Sequence, residues 1–241
     1  MDLGDLAEKL SAMIRENASA DAMALIAAQS DPVATASAIS AAVNALYSSH
    51  RDVGRMVVAA YFGVAWCLGQ ASLQLDPEVA ASLKRRARAM SFNAAANCWP
   101  GWGDQGVTIE DGHVAAGLAL AGMCRSLGQD LDLGPKEQGT ANWLVGALEL
   151  ALGRIAAARA AFDDAQGSYA ALGEEAPQTL MVQAYDALAA TYGGEDNGQA
   201  LNQALERLRA LGTKDGDFFA DQVEKARQEL GAGSGTKIPN S

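Results

Sequence analysis

TANWLVGALELALGRIAAARAAFDDAQ, residues 140–166, carries small residues at Gly146, Ala158 and Ala165, an aromatic ring at Phe162 and a glycine between the two runs at Gly153. Apolar positions recur with a helical period on both sides of Gly153, which predicts two short helices joined by a tight turn. Small residues on facing sides let antiparallel helices approach closely, and Phe162 is placed to fill the groove between them. Gly153 suits the turn because it has no Cβ to clash in the left-handed region. Such a hairpin cannot bury its apolar face alone, so the stretch predicts further hairpins stacked on either side.

The rest of the chain has the composition for that architecture. Hydrophobic residues are 49% of the 241 but aromatic ones only 6%, so alanine, leucine and glycine supply the apolar content and favour closely packed helices. The chain is long enough to bury a substantial core as one elongated or two compact domains. Most of the six prolines sit where helices should begin.

Read in order, helices are expected over residues 2–16, 21–29 and 32–47, then over 52–73 and 77–93. Asp31-Pro32 and Asp76-Pro77-Glu78 each place an N-cap before a proline in the first turn. The most apolar run, Met56 to Leu68, predicts a buried helix, too short to cross a bilayer, which takes about 20 residues. Residues 97–109, NCWPGWGDQGVTI, break the rhythm, because Pro100 and the glycines at 101, 103 and 106 forbid regular helix. Thr108-Ile109-Glu110-Asp111 reads as a capping-box-like start for the next helix. Helices follow over 136–152, 155–171, 177–192, 198–211 and 216–230, with glycines 153, 173, 193, 212 and 231 as their C-caps. The prediction is therefore all-α with about eleven helices. It has an N-terminal cap or dimerisation element at 1–50, a helical array at 51–230 and a flexible tail at 231–241.

The pattern in 141–166 resembles the second half of the tetratricopeptide repeat, L-G…G…A-x3-F-x2-A. Tyr185-x2-Leu188-Ala189-x2-Tyr192 and Phe62-Gly63-x2-Trp66 resemble its first helix, W-x2-L-G-x2-Y. The small residues Gly63, Gly146 and Ala189 are spaced as multiples of a unit of about 42 residues, longer than the usual 34. Nothing before residue 50 matches, and Arg207 stands where the pattern has a small residue. The resemblance implies a tetratricopeptide-like α-solenoid that binds a peptide or protein on a concave surface lined by the first helix of each pair.

Charge narrows the partners. A formal charge of −11 with a pI near 4.6 argues against nonspecific nucleic-acid binding, which depends on neutralising phosphates. Cys67, Cys98 and Cys124 are odd in number, without CxxC spacing, and two lie in apolar runs, so a reducing compartment fits better than a disulfide framework. The acidic, amphipathic N-terminus lacks a basic start and an apolar signal core, and with no membrane span expected the reading is cytoplasmic.

Three groups of residues are candidates for chemistry or binding. Trp99 and Trp102, with Asp104, Asp111 and His113 following, have the makings of a ligand pocket, or they plug a gap in an irregular connection. Asp104, Glu110, Asp111 and His113 offer one nitrogen ligand and no HxxxH or CxxC pair, so neither a metal nor another cofactor is expected. Cys98 beside His113 has no third group or oxyanion motif to make it a nucleophile, so no catalytic residue is assigned. Lys84, Arg85 and Arg88 share one helix face and would either capture an acidic partner or pair with the chain's own acids.

The leading expectation is a non-catalytic scaffold or adaptor for a protein or peptide partner. Two alternatives stand beside it. One is a small-molecule sensor or enzyme built on the Trp-Pro-Gly-Trp loop, and the other is a self-assembling structural protein, with a homodimer as its simplest form.

Overall fold

The computed structural model describes residues 2–195 and 198–233. Among these residues the protein is all-α, with eleven α-helices and two short 3-10 turns. The helices are α1 Leu3–Arg15, α2 Ser19–Ala27, α3 Pro32–Ser48, α4 Val53–Leu73, α5 Pro77–Ala96 and α6 Asp111–Asp130. They are followed by α7 Pro135–Ala151, α8 Ile155–Tyr169, α9 Pro177–Tyr192, α10 Gln199–Ala210 and α11 Lys214–Gly233. The 3-10 turns are Pro100–Trp102 and Ala170–Leu172.

Local chemistry accounts for most of the helix starts. The Asp31 carboxylate accepts from the backbone N–H of Val33 and Ala34 at 2.9 and 3.0 Å, and that of Asp76 accepts from Glu78 at 2.9 Å. Each satisfies donors that the first helical turn leaves orphaned. Asp52 does the same for Arg55 N at the start of α4 and also holds the Arg55 guanidinium at 2.7 Å. Prolines open α3, α5, α7 and α9, and Pro100 opens a 3-10 turn.

Several boundaries differ from the sequence expectation by one to three residues, and three of the differences concern caps. Helix α6 is capped at Glu110, not Thr108, because the Glu110 backbone N–H donates to His113 Nδ1 at 3.2 Å, a reach-back bond made by histidine instead of the usual acid. At the end of α9 it is Gly194, at φ 74°, that takes the left-handed turn, while Gly193 stays helical at φ −72°. Gly231 does not stop α11, which continues to Gly233; of the expected tail, residues 234–241 lie outside the described residues. Gly153 and Gly212 have the positive φ expected of them, 71° and 60°.

The chain forms two compact units. The first comprises residues 1–98 and 106–133, the second residues 99–105 and 134–241. In the first unit α4 packs against α3, α5 and α6, and α1 packs against α3. A Cβ at Gly63 would collide with Met90 on α5 and Ile39 on α3, so glycine there sets how closely the three helices approach. In the second unit α7 and α8 form a hairpin with Phe162 wholly buried over Gly146, where a Cβ would strike the ring. The small residues Ala158 and Ala165 are fully buried, as the sequence requires of a close helix pair. α8 then packs on α9, α9 on α10, and α11 on both α9 and α10.

Helix α4 departs from its expected burial. It is 21 residues long, and by length and composition it is the one helix among the described residues apolar enough to cross a bilayer. Only 44% of its most apolar window is buried. Its other side, including Val58 at 69% and Leu73 at 73% exposure, is uncovered.

Candidate functional site

The irregular segment 99–105 belongs to the second unit, and its Trp99 and Gly101 are buried there. Trp99 is completely buried, and the turn folds back over it so tightly that a Cβ at Gly101 would collide with the indole. Gly103 has φ 56°, with the side chains of Lys225 and Glu229 of α11 against its α-carbon; those two pair at 3.0 Å. A residue with a Cβ is disfavoured there twice over, by conformation and by space.

Around Trp99 the aromatic rings form a connected cluster. Tyr185 contacts Trp99, Trp143 and Phe162 with centroid separations of 6.2, 5.5 and 5.9 Å, and Trp102 meets Trp143 at 6.3 Å. Trp99–Tyr185 and Trp143–Tyr185 meet edge to face, an arrangement that gains about 0.5–1.5 kcal/mol each beyond burial, while the other two pairs are tilted. The indole N–H groups of Trp99 and Trp143 and the Tyr185 hydroxyl are buried without a hydrogen bond of normal geometry. The Tyr185 hydroxyl nonetheless feels Trp99 and the buried Gln222 electrostatically, while burial pushes it well above the usual phenol range. Trp99 and Trp102 are therefore brought together with aromatic residues of α7, α8 and α9. The sequence marks Phe162 and Tyr185 only as helix-packing residues and does not single out Trp143. Their convergence on Trp99 is a tertiary property with no local signal.

The carboxylates and histidine following the loop are distributed differently. Asp104 is exposed and lies in the second unit, whereas Asp111 and His113 belong to the first. His113 caps α6 through Nδ1, and its Nε2 lies 3.6 Å from where a Cβ on Gly54 would stand. Among the described residues no three of His, Cys, Asp and Glu converge in a way that would hold a metal ion. His50 lines an exposed depression of about 340 Å³ with Arg15, Glu16, Asp52 and Arg55, where acids and arginines balance in number.

All three cysteines are buried and free. Burial pushes the Cys98 thiol up to about 12 and Cys67 up to about 11, the nearby Arg86 offsetting part of the effect at Cys67. Cys98 packs its Cβ against Gly117 of α6, leaving no room for a Cβ there. Completely buried and held protonated at neutral pH, the Cys98 thiol lacks the exposure and lowered pKa of a reactive cysteine.

These thiols give stability a definite pH dependence. The folded protein holds their protons more tightly than an unfolded chain, whose thiols titrate near 9.0. Their contribution is complete below about pH 9 and is lost as the pH rises toward 12. The expected result is a urea midpoint that is flat around neutral pH and falls steadily above about pH 9, with no labelling of native protein by a thiol reagent at neutral pH. Rapid labelling of one cysteine in the native state would contradict this.

The basic residues of α5 are arranged differently from the helix-face expectation. Arg88 is turned toward α6, its Nε 3.6 Å from where a Cβ on Gly128 would stand, and it acts electrostatically on Cys124. Arg85 and Arg86 are exposed and Lys84 is half-buried. Elsewhere some arginines are tied to the chain's own acids, among them Arg159 to Asp186 at 2.9 Å, Arg207 to Glu175 at 2.8 Å and Arg209 to Glu224 at 2.8 Å. Lys84, Arg85 and Arg86 form no ion pair among the described residues.

A third surface is apolar. Between α1, α2, α3 and α4 lies a groove of about 170 Å³ whose lining includes Leu10, Ile14, Met23, Ala59 and Phe62. Met23, at its rim, is 55% exposed.

In comparison with known proteins, no family model matches the chain and no curated protein matches it.

Proposed function

We propose that the protein is a non-catalytic scaffold that binds a protein or peptide partner carrying an acidic segment, and that it does so in the cytoplasm. The observation that carries this reading is the unpaired Lys84–Arg85–Arg86 cluster on α5. Arg15, Arg51 and Arg125 likewise form no ion pair among the described residues, but only on α5 do three such cations stand consecutively, in a chain of net charge −11. Three adjacent cations without an ion pair among the described residues suit a partner that brings its own carboxylates. The buried, protonated cysteines and the capping role of His113 support a protein whose polar side chains hold the fold together instead of turning over a substrate. The resemblance of 141–166 to the tetratricopeptide pattern supports the same class, since such arrays bind peptides.

The test is charge reversal on α5. Lys84→Glu, Arg85→Glu and Arg86→Glu together are expected to weaken capture of the protein partner more than about tenfold, because exposed attraction becomes like-charge repulsion. The wild-type interaction should itself weaken as salt is raised. If the reversed protein captures the same partner equally well, the α5 face is not the contact. If native protein brings down only a small molecule, the scaffold reading fails.

A further inference from the structure

The start of α6 is held by a bond that one proton would break. The backbone N–H of Glu110 donates to His113 Nδ1 at 3.2 Å. A ring nitrogen accepts only through its lone pair, so in this bond His113 is neutral and carries its proton on Nε2. In the usual capping box a glutamate or glutamine makes the reach-back bond. Glutamine accepts at every pH, whereas histidine is the side chain that ordinarily changes charge between about pH 5 and 8.

Little else fastens the backbone at this point. Val107, Thr108, Ile109 and Glu110 belong to no helix, and among the described residues only the N–H of Glu110 is hydrogen-bonded of the four. Thr108 and Glu110 are exposed, and Val107 and Ile109 are half-buried. Beyond them the helix is secured by its own backbone, with His113 and Val114 donating to the Glu110 carbonyl at 2.8 and 3.0 Å. The ring of His113 is thus what ties residues 107–110 to α6.

The charges around the ring work with this chemistry. On its own segment stand the carboxylates of Glu110 and Asp111. From α4 the ring meets Gly54: His113 Nε2 and Asp52 Oδ1 lie 3.6 and 3.9 Å from where a Cβ on that glycine would stand. Arg55, held by Asp52 at 2.7 Å, and Arg15, which acts electrostatically on Asp52, complete the charges on that side, with His50 and Arg51 exposed in the connection before α4. The last two turns of α5, residues 89–97, carry no charge. An imidazolium has no lone pair for the Glu110 N–H and two N–H groups to offer carboxylates. Protonation turns the ring from an acceptor that holds the backbone into a donor drawn toward Glu110, Asp111 and Asp52.

We propose that His113 is a proton-operated latch on the start of α6. Neutral, it ties residues 107–110 to the helix; protonated, it releases them and leaves the rest of α6 in place.

Amide hydrogen exchange on the full chain tests the latch, followed residue by residue by NMR and corrected for the intrinsic pH dependence of exchange. From about pH 8 to about pH 5, protection of the Glu110 amide should fall about fivefold or more, as one hydrogen bond is lost. Protection of Leu120, deep in α6, should hold. His113→Gln keeps an acceptor and removes the titration, so its Glu110 amide should be equally protected at both ends of that range. His113→Ala should leave the amide unprotected throughout. His50→Gln removes the chain's other histidine and should retain the wild-type pH dependence. Imidazole nitrogen shifts give a second reading, with the His113 proton on Nε2 at the alkaline end. Wild-type protection that is constant over the range, the same loss in His113→Gln, a pH dependence that disappears in His50→Gln, or a neutral ring protonated on Nδ1 would overturn the proposal.

Discussion

Replacing Phe162 with alanine is expected to destabilise the protein by about 3–5 kcal/mol, a large share of the roughly 5–15 kcal/mol that holds a domain folded. The ring is wholly buried between α7 and α8, over Gly146 and beside Tyr185. Its removal takes away transferred apolar surface and leaves a cavity that the close helix pair cannot collapse to fill. The complementary change, Gly146→Ala, should cost about 1–3 kcal/mol, because the added methyl meets the ring and the helices must part. The two changes are coupled. In Gly146→Ala with Phe162→Leu the methyl gains some of the space vacated by the ring, so the loss should be smaller than the sum of the single losses. Urea denaturation of wild type, Gly146→Ala, Phe162→Leu and the double variant checks this, and strict additivity would show that the ring and the glycine do not share one space.

The second large effect is expected at Trp99. If the Trp-Pro-Gly-Trp segment were a ligand wall, truncating Trp99 would alter binding and leave stability nearly unchanged. Its complete burial against Tyr185 predicts the opposite, with Trp99→Ala destabilising by about 3–5 kcal/mol. Trp99→Phe separates volume from polarity. It keeps most of the ring contact and removes an indole N–H buried without a hydrogen bond of normal geometry. Its cost should therefore be well below that of alanine. Thermal unfolding of both variants decides the matter. An alanine variant as stable as wild type would mean that the segment is not part of the core.

The fold class was legible because its signals are local. Asp31-Pro32 and Asp76-Pro77 announce helix starts through carboxylates that reach only two or three residues along the chain. Gly153 and Gly212 mark helix ends through a backbone angle open to glycine. The hairpin of α7 and α8 was readable because its two helices are adjacent in sequence, so the small and large residues that meet lie in one short stretch. Where local signals compete, reading fails by a residue or two. Glu110, two residues beyond Thr108, caps α6 because His113 supplies the reciprocal bond, and Gly194 turns the chain in place of Gly193.

The candidate sites were less legible because each depends on what lies opposite. Lys84, Arg85 and Arg88 share a helix face in projection. The structure nevertheless turns Arg88 toward α6 and leaves Arg86 in solvent, since only the packed neighbour determines which side of α5 is covered. The open side of α4 is hidden for the same reason, since it lies in a stretch apolar on every side, where periodicity cannot distinguish the covered face from the open one.

By itself the sequence determined the helical class, the helix count, most helix boundaries and the Gly146–Phe162 contact, because these follow from hydrogen bonds and side-chain sizes along a short span of chain. Only the tertiary structure decided that Trp99 is core and not pocket, that Cys98 is buried, that Lys84, Arg85 and Arg86 form no ion pair among the described residues and that half of α4 faces solvent. Burial and pairing are properties of surfaces brought together from distant parts of the chain, and no local pattern encodes them.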